Sequence, residues 1–218
     1  MSYRFTGIID RYLLSGSEFT RRLHAVRPEQ WTAPTPCAEW DVQRLVNHMT
    51  RGNLNYVALL NGGSAAEFLR LRDTDALYAD PVGAYVRSER ECAAAFRRSG
   101  ALAQILDHPL GPMSGEQALA VRTTDATIHT WDLARAVDAP EELDLGFVAW
   151  IEDHLTDIYA DLAESPVSTD TTHRFFAAPV ATSPVGESRQ ARLPRLMGRR
   201  VEPCLTPAGR PDRPAPRP

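Results

Sequence analysis

The sequence contains no lysine: all 24 basic side chains are arginine. That excludes Schiff-base catalysis and a lysine phosphate ligand. Cysteine is scarce, with Cys37, Cys92 and Cys204 far apart. With no CxxC pair, neither a zinc ribbon nor a disulfide framework is predicted, and the thiols are expected to be reduced, in a cytoplasm. No apolar run approaches the roughly 20 residues of a membrane span. After Met1 the chain carries Arg4 and Asp10 but no basic head followed by an apolar stretch, so no signal peptide is predicted. The formal net charge of −4, with a pI near 5.9, gives no electrostatic reason for a nucleic-acid or anionic-membrane partner.

What is present is a helical pattern. The hydrophobic share of 43% is enough for a full core. Helical spacing predicts a first helix over about Thr6 to Val26, with Ile9, Leu13, Phe19 and Leu23 inward. A second starts at the N-cap Asp41, with Trp40 and Leu45 placed as a hydrophobic staple, and stops at Asn61-Gly62-Gly63. A third covers Pro81 to Arg98, followed by a short turn around Leu102 to Leu106. A fourth runs from Ser114, paired with Gln117 as a capping box, to Val137. A fifth spans Leu145 to Ala163. Without period-two strand patterns, the fold class is all-α: a four-helix bundle with an extra helix and an irregular Pro-rich C-terminal segment. The expected organisation is a metal-binding bundle over 1–165, a segment over 166–201 packing on it, and a disordered Pro- and Arg-rich tail over 202–218. Residues 174–181 are expected to be extended, and Gln190 to Gly198 to form a short closing helix.

The chemistry lies on the fourth helix. Ala118, Arg122, Asp125, His129, Leu133 and Ala136 form one stripe at three- and four-residue steps. Its ends are core-like and its middle is polar. Asp125 and His129 point the same way, so a carboxylate oxygen and an imidazole nitrogen one turn apart can share a metal ion. The alternative is an ion pair. On the second helix His48 lies beside the apolar stripe, with Gly52 one turn on leaving space near the imidazole. Two histidines and a carboxylate leave coordination positions open, as a catalytic metal needs. Zinc suits such a set first; nickel and iron fit too.

These residues carry a family resemblance. Trp31-Thr-Ala-Pro-Thr-Pro-Cys-Ala-Glu-Trp-Asp-Val-Gln-Arg-Leu-Val-Asn-His48, then Gly52-Asn53, resembles the N-terminal signature of the mycothiol-dependent maleylpyruvate isomerase family, within the DinB-like superfamily of metal-binding four-helix bundles. Asp125-Ala-Thr-Ile-His129-Thr-Trp-Asp132-Leu-Ala134 resembles its second signature. Phe175-Phe-Ala-Ala-Pro-Val and Leu193-Pro-Arg-Leu-Met-Gly198-Arg resemble the closing segment of an actinobacterial subgroup. The resemblance implies a metal held by His48, Asp125 and His129, with mycothiol as cosubstrate. The family's acid is usually glutamate; here it is Asp125, one methylene shorter. The isomerase's separate C-terminal domain has no counterpart in the resemblance, so its substrate is not carried over.

Other residues admit two readings. Arg122 either contacts a substrate carboxylate or pairs with Asp125. Asn53 donates to a ligand or to backbone. Cys37, just before the second helix, is a reactive thiol or a small buried residue of the entry loop. Asp132 either orients a ligand histidine or is a surface charge. Trp131, Trp150 and His154 read as packing residues, and His24, His108 and His173 show no constellation. The expected function is a metal-dependent enzyme using a mycothiol-like thiol for S-transfer to, or isomerisation of, a small electrophile, as monomer or homodimer. A metal-activated-water hydrolase and a non-catalytic metal- or ligand-binding bundle are the alternatives.

Overall fold

Small polar residues begin most of the helices. In the computed structural model, which describes residues 4–37, 40–162 and 187–200, Asp41, Ser64, Asp80, Ser114, Asp144 and Ser188 each accept a backbone N–H three residues on. Each thereby satisfies one donor that the first helical turn leaves unpaired. The helices so started are α2 (Val42–Leu60), α3 (Ala65–Leu71), α4 (Pro81–Phe96), α5 (Gly115–Ala136), α6 (Leu145–Ile158) and α7 (Arg189–Leu196). They follow α1 (Ile8–Leu23), which starts from Gly7 in the left-handed region at φ 75°. An antiparallel hairpin, β1 (Ile105–His108) with β2 (Gly111–Ser114), precedes α5.

α1, α2, α4 and α5 form the bundle: α1 packs on α5 and α4, and α2 packs on α4 and α5. α6 lies against α5, and α7 closes over α5 and α6. Among the described residues no helix is long and apolar enough to cross a membrane. The protein is thus mostly helical, as its sequence predicts. The segment expected to be extended at 174–181 and the tail expected over 202–218 lie outside the described residues.

Three features differ from expectation. α3 was not anticipated: it is short and buries only Phe68, too little for a periodic signal, although Ser64 and Glu67 have cap spacing. The hairpin replaces the expected turn. Its inward positions are Leu106 and His108 on β1 and Met113 on β2, and Pro109 and Pro112 obscure the alternation. Gln117 is not the second half of a capping box, because its side-chain amide donates instead to the carbonyls of Ile158 and Ala160. It ties α5 to the end of α6.

α5 is buried on nearly every side, which defines a central helix rather than a surface one. Its threonines fit there because they are satisfied locally. The hydroxyls of Thr123, Thr124, Thr127 and Thr130 each donate to the carbonyl four residues back, so no hydroxyl is stranded.

Gly115 opens this helix against the 3-10 turn Ala101–Ala103. A Cβ there would stand 2.0 Å from the Ala101 carbonyl oxygen, and backbone cannot step aside as a flexible side chain can. Gly115→Ala is therefore expected to lower the unfolding free energy by roughly 1–3 kcal/mol in urea denaturation. A loss within about 0.5 kcal/mol, the range of a neutral surface change, would show that the turn does not bear on the helix start.

Candidate metal centre

α2 and α5 bring His48, Asp125 and His129 together. Donor atoms from the three lie within 4.8 Å of one another. His48 Nε2 stands 3.4 Å from Asp125 Oδ2, and His129 Nε2 stands 3.2 Å from Asp125 Oδ1. One donor atom from each residue therefore lies near enough to the others to reach a single ion. The shorter acid at position 125 still reaches both imidazoles. His48 Nε2 is buried and makes no hydrogen bond among the described residues. The stranded imidazole nitrogen faces a carboxylate and a second imidazole, so the donor types fit a divalent metal that would displace the His129 proton.

The other groups around the triad fix it in place. His129 Nδ1 bonds Asp132 Oδ2 at 2.9 Å, which points Nε2 toward Asp125. Asp132 is fully buried and is the residue that orients His129, not a surface charge. Arg199 Nη2 donates to Asp132 Oδ2 at 2.7 Å and to Cys37 Sγ at 3.2 Å. The Cys37 thiol in turn donates to Asp132 Oδ2 at 3.2 Å. The Trp40 indole lies against both imidazoles, 4.8 Å from His48 and 5.9 Å from His129 between ring centroids.

Electrostatics divides the histidines. Burial pushes the His48 pKa down, and Asp125 only partly offsets it, so His48 stays neutral. Burial also acts against the charge on His129, but Asp125 and Asp132 outweigh it and hold its pKa well above the usual imidazole value. Burial opposes the Asp125 charge too, and the two imidazoles more than compensate, holding its carboxyl well below the usual range.

The structure refines several sequence expectations. Gly52 lines a cavity together with His48, as expected, and also accommodates an arginine. A Cβ there would lie 3.0 Å from the Arg122 guanidinium, so the glycine makes room for the arginine. Arg122 itself is 1% exposed and pairs with Asp125, while its Nε donates to Asn53 Oδ1 at 2.9 Å and its Nη2 to the Met49 carbonyl at 2.6 Å. Of its two readings the structure shows the ion pair. Asn53 is not placed to meet a ligand: its oxygen accepts from Tyr12 and Arg122, and its amide donates to Ser88 Oγ.

Two spaces adjoin the triad. A cavity of about 60 Å³ runs between α2, α5, α3 and the hairpin, with His48, Asp125 and Arg122 beside Tyr56, Phe68 and Val121. A polar recess of about 160 Å³ also touches His48, lined by Trp40, Arg44, Asn47, Arg72 and Asp73. Sequence reasoning missed two residues of the cavity. Tyr56 is two turns beyond His48 on the same face of α2, and this spacing could have revealed it. His108 does have a constellation, packing against Tyr56 and Phe68, but only the unforeseen hairpin brings it there. His154, by contrast, bonds the Trp150 carbonyl and stacks on that indole, as a packing residue does.

Comparison with known proteins follows this geometry. Residues 13–134 match the family described as mycothiol maleylpyruvate isomerase N-terminal domain. Two uncharacterized proteins of Mycobacterium tuberculosis, from strains CDC 1551 and H37Rv, are each 32% identical over 129 residues. That match covers 58% of this chain and 65% of each relative, so the chain spans just under two thirds of their length. Among solved structures, the mycothiol-dependent maleylpyruvate isomerase superposes with a TM-score of 0.53, and a histidine-to-alanine mutant of that enzyme with 0.55. Each is 15% identical and is matched over 68% of both chains, which establishes a shared DinB-like helical fold.

The buried His108 carries a pH signature. Burial pushes its pKa down to about 4, against about 6.5 in the unfolded chain. Between those values the unfolded state binds the extra proton. The stabilisation is therefore complete above about pH 6.5 and is lost progressively down to pH 4, by about 3 kcal/mol in all. In urea titrations from pH 7 to 4 the wild type is expected to lose more stability than His108→Gln by about this amount. Parallel curves would mean that His108 is solvated when it takes up its proton.

Proposed function

Because this chain belongs to the mycothiol maleylpyruvate isomerase N-terminal domain family, we propose that it is a metal-dependent enzyme using a low-molecular-weight, mycothiol-like thiol. It transfers the thiol sulfur to a small electrophile or isomerises that electrophile by reversible addition. The observation that carries this reading is the unsatisfied His48 Nε2 facing Asp125 and His129 at the wall of a cavity.

His48, Asp125 and His129 would hold the ion, zinc by the character of the donors, with nickel or iron also compatible. When bound, a divalent ion lowers the pKa of a thiol, ordinarily near 8.5, so that sulfur is available as thiolate at neutral pH. The chain's own residues do the rest. Asp132, clamped by Arg199 and Cys37, keeps His129 Nδ1 protonated and its Nε2 aimed at the site. Arg122 holds the Asp125 carboxylate through the same oxygen that faces His48 and adds positive charge beside the site. His48 lines both the polar recess, suited to the polar body of a thiol cosubstrate, and the more apolar cavity, suited to an electrophile. Addition forms a carbon–sulfur bond and converts a carbon–carbon double bond to a single one. Rotation and expulsion of the thiolate then give the isomer, while protonation at the neighbouring carbon gives the thioether. A cytoplasmic setting, where Cys37 and Cys92 remain free thiols, agrees with such chemistry.

Hydrolysis is the second reading, since three protein ligands suit activated water as well. A structural ion would favour a closed four-ligand sphere without an adjoining cavity, and the cavity beside Asp125 argues against that arrangement.

Metal content decides the first step. The wild type is expected to hold about one equivalent of zinc or nickel after reconstitution, and His48→Ala and His129→Ala none, by plasma emission analysis. Wild-type protein without metal would end the metal reading. With cobalt at the site, added thiol is expected to bring in a sulfur-to-metal charge-transfer band; an unchanged spectrum would favour water activation. Asp132→Asn keeps the three ligands but weakens their support, so metal affinity should fall about 10- to 100-fold. Affinity equal to wild type would remove Asp132 from the site.

A further inference from the structure

The inner wall of the cavity holds one polar pair that the triad does not use. Leu110 N–H donates to His108 Nδ1 at 3.1 Å, closing the hairpin turn. A ring nitrogen that accepts a hydrogen bond carries no proton, so a neutral His108 carries its proton on Nε2. The depressed His108 pKa keeps the ring neutral. Nε2 lies 3.3 Å from the Tyr56 hydroxyl, and with the tautomer fixed it is the donor and the Tyr56 oxygen the acceptor. The Tyr56 hydroxyl proton is then left over. It has no acceptor among the described residues, although Tyr56 is 4% exposed and lines the cavity beside Gly52. A buried O–H donor without a partner is costly in a closed protein and useful in a binding pocket, where an occupant supplies the acceptor.

The rest of the lining defines that occupant. Phe68, Leu110 and Val121 make this part of the wall apolar. Both arginines in the lining already face carboxylates, Arg122 with Asp125 and Arg72 with Asp73. Among the arginines of the lining, a carboxylate entering here would lose water and find both already paired. We propose that Tyr56, oriented by His108, is the specificity-determining hydrogen-bond donor for the carbonyl oxygen of a small, neutral, otherwise apolar electrophile such as an unsaturated ketone. The inference rests on the reading of this cavity as the electrophile's place, and it names the substrate class for that site.

The test uses the purified full-length protein without thiol. 2-Cyclohexenone is the probe, and cyclohexene-1-carboxylate is the charged counterpart of similar shape. Infrared difference spectra read the carbonyl stretch of the bound ketone, and calorimetric titration reads affinity. The ketone bound to wild type is expected at a lower carbonyl frequency than the same ketone in cyclohexane, and Tyr56→Phe should return it toward the cyclohexane value. Loss of one hydrogen bond should also weaken binding by roughly three- to tenfold in that variant. The wild-type frequency is read on metal-free protein, where no ion can polarise the carbonyl, so the test stands even if Tyr56→Phe folds poorly. No ketone binding, an unshifted carbonyl, equal frequency and affinity in the two proteins, or carboxylate binding as tight as ketone binding would each overturn the proposal. Thiol-dependent consumption of the ketone is assayed separately. Ketone binding as expected, with no consumption by metal-loaded protein, would sustain the Tyr56 assignment and overturn the thiol reading alone.

Discussion

Charge buried on a central helix has to be answered from within the protein, and α5 meets that demand by alternation. Arg122, Asp125, His129, Asp132 and, from α7's far end, Arg199 follow one another with alternating sign. None can be removed without leaving a neighbour uncompensated in a medium where an isolated charge is strongly disfavoured. The ladder also explains a choice of elements. α5 has polar side chains on most faces, yet it lies at the centre of the bundle because its threonines bond their own backbone and its charges bond one another. The triad is the part of this ladder that a second helix, α2, leaves open. There His48 faces the carboxylate without making a hydrogen bond.

The ladder makes the outer groups as consequential as the triad. Asp132 lies outside the triad, but it holds one ring nitrogen of His129 and so decides what the other nitrogen faces. Arg199 neutralises Asp132 and reaches Cys37 with the same guanidinium. This joins the loop before α2, the middle of α5 and the residues after α7 in one contact. Among the described residues, the stretch at and after α7 meets the bundle through this contact and through the buried Leu193 and Met197.

How much of this was legible depended on sequence distance. The pairing of Asp125 with His129 follows from one helical turn, and the capping of α2 by Asp41 from three residues, so both were readable before any fold was known. The meeting of α2 with α5 needed only the bundle. Three features were hidden. The Arg199–Asp132 pair spans 67 residues, and nothing periodic marks it. The hairpin has few inward side chains, one of them a histidine, flanked by prolines that mask alternation. Gly52 could be seen to leave space, but its occupant could not, because Arg122 reads equally well as a ligand contact or an ion pair until its buried partners are seen. Residues that act within one element were visible, and those whose partner lies across a loop were not.

The aspartate at position 125 is best understood with Gly52 and Arg122. A glutamate would carry its carboxylate about 1.5 Å further from α5, past the guanidinium that now holds it. With aspartate, the carboxylate stays close enough to its own helix for Arg122, three residues earlier, to bond it from below, while both oxygens still face the imidazoles. Arg122 can lie there only because its guanidinium rests against α2, with Nη2 on the Met49 carbonyl and no side chain at Gly52 to displace it. The short acid, the buried arginine and the glycine opposite therefore form one arrangement across two helices, and a change at any one alters the charge presented to the other two. In this setting the carboxylate of the shorter acid is shared with a fixed cation. Under the proposed metal reading, that cation would lower the electron density the carboxylate can offer, and the site would favour an ion that draws more of its binding from the two imidazoles than from oxygen.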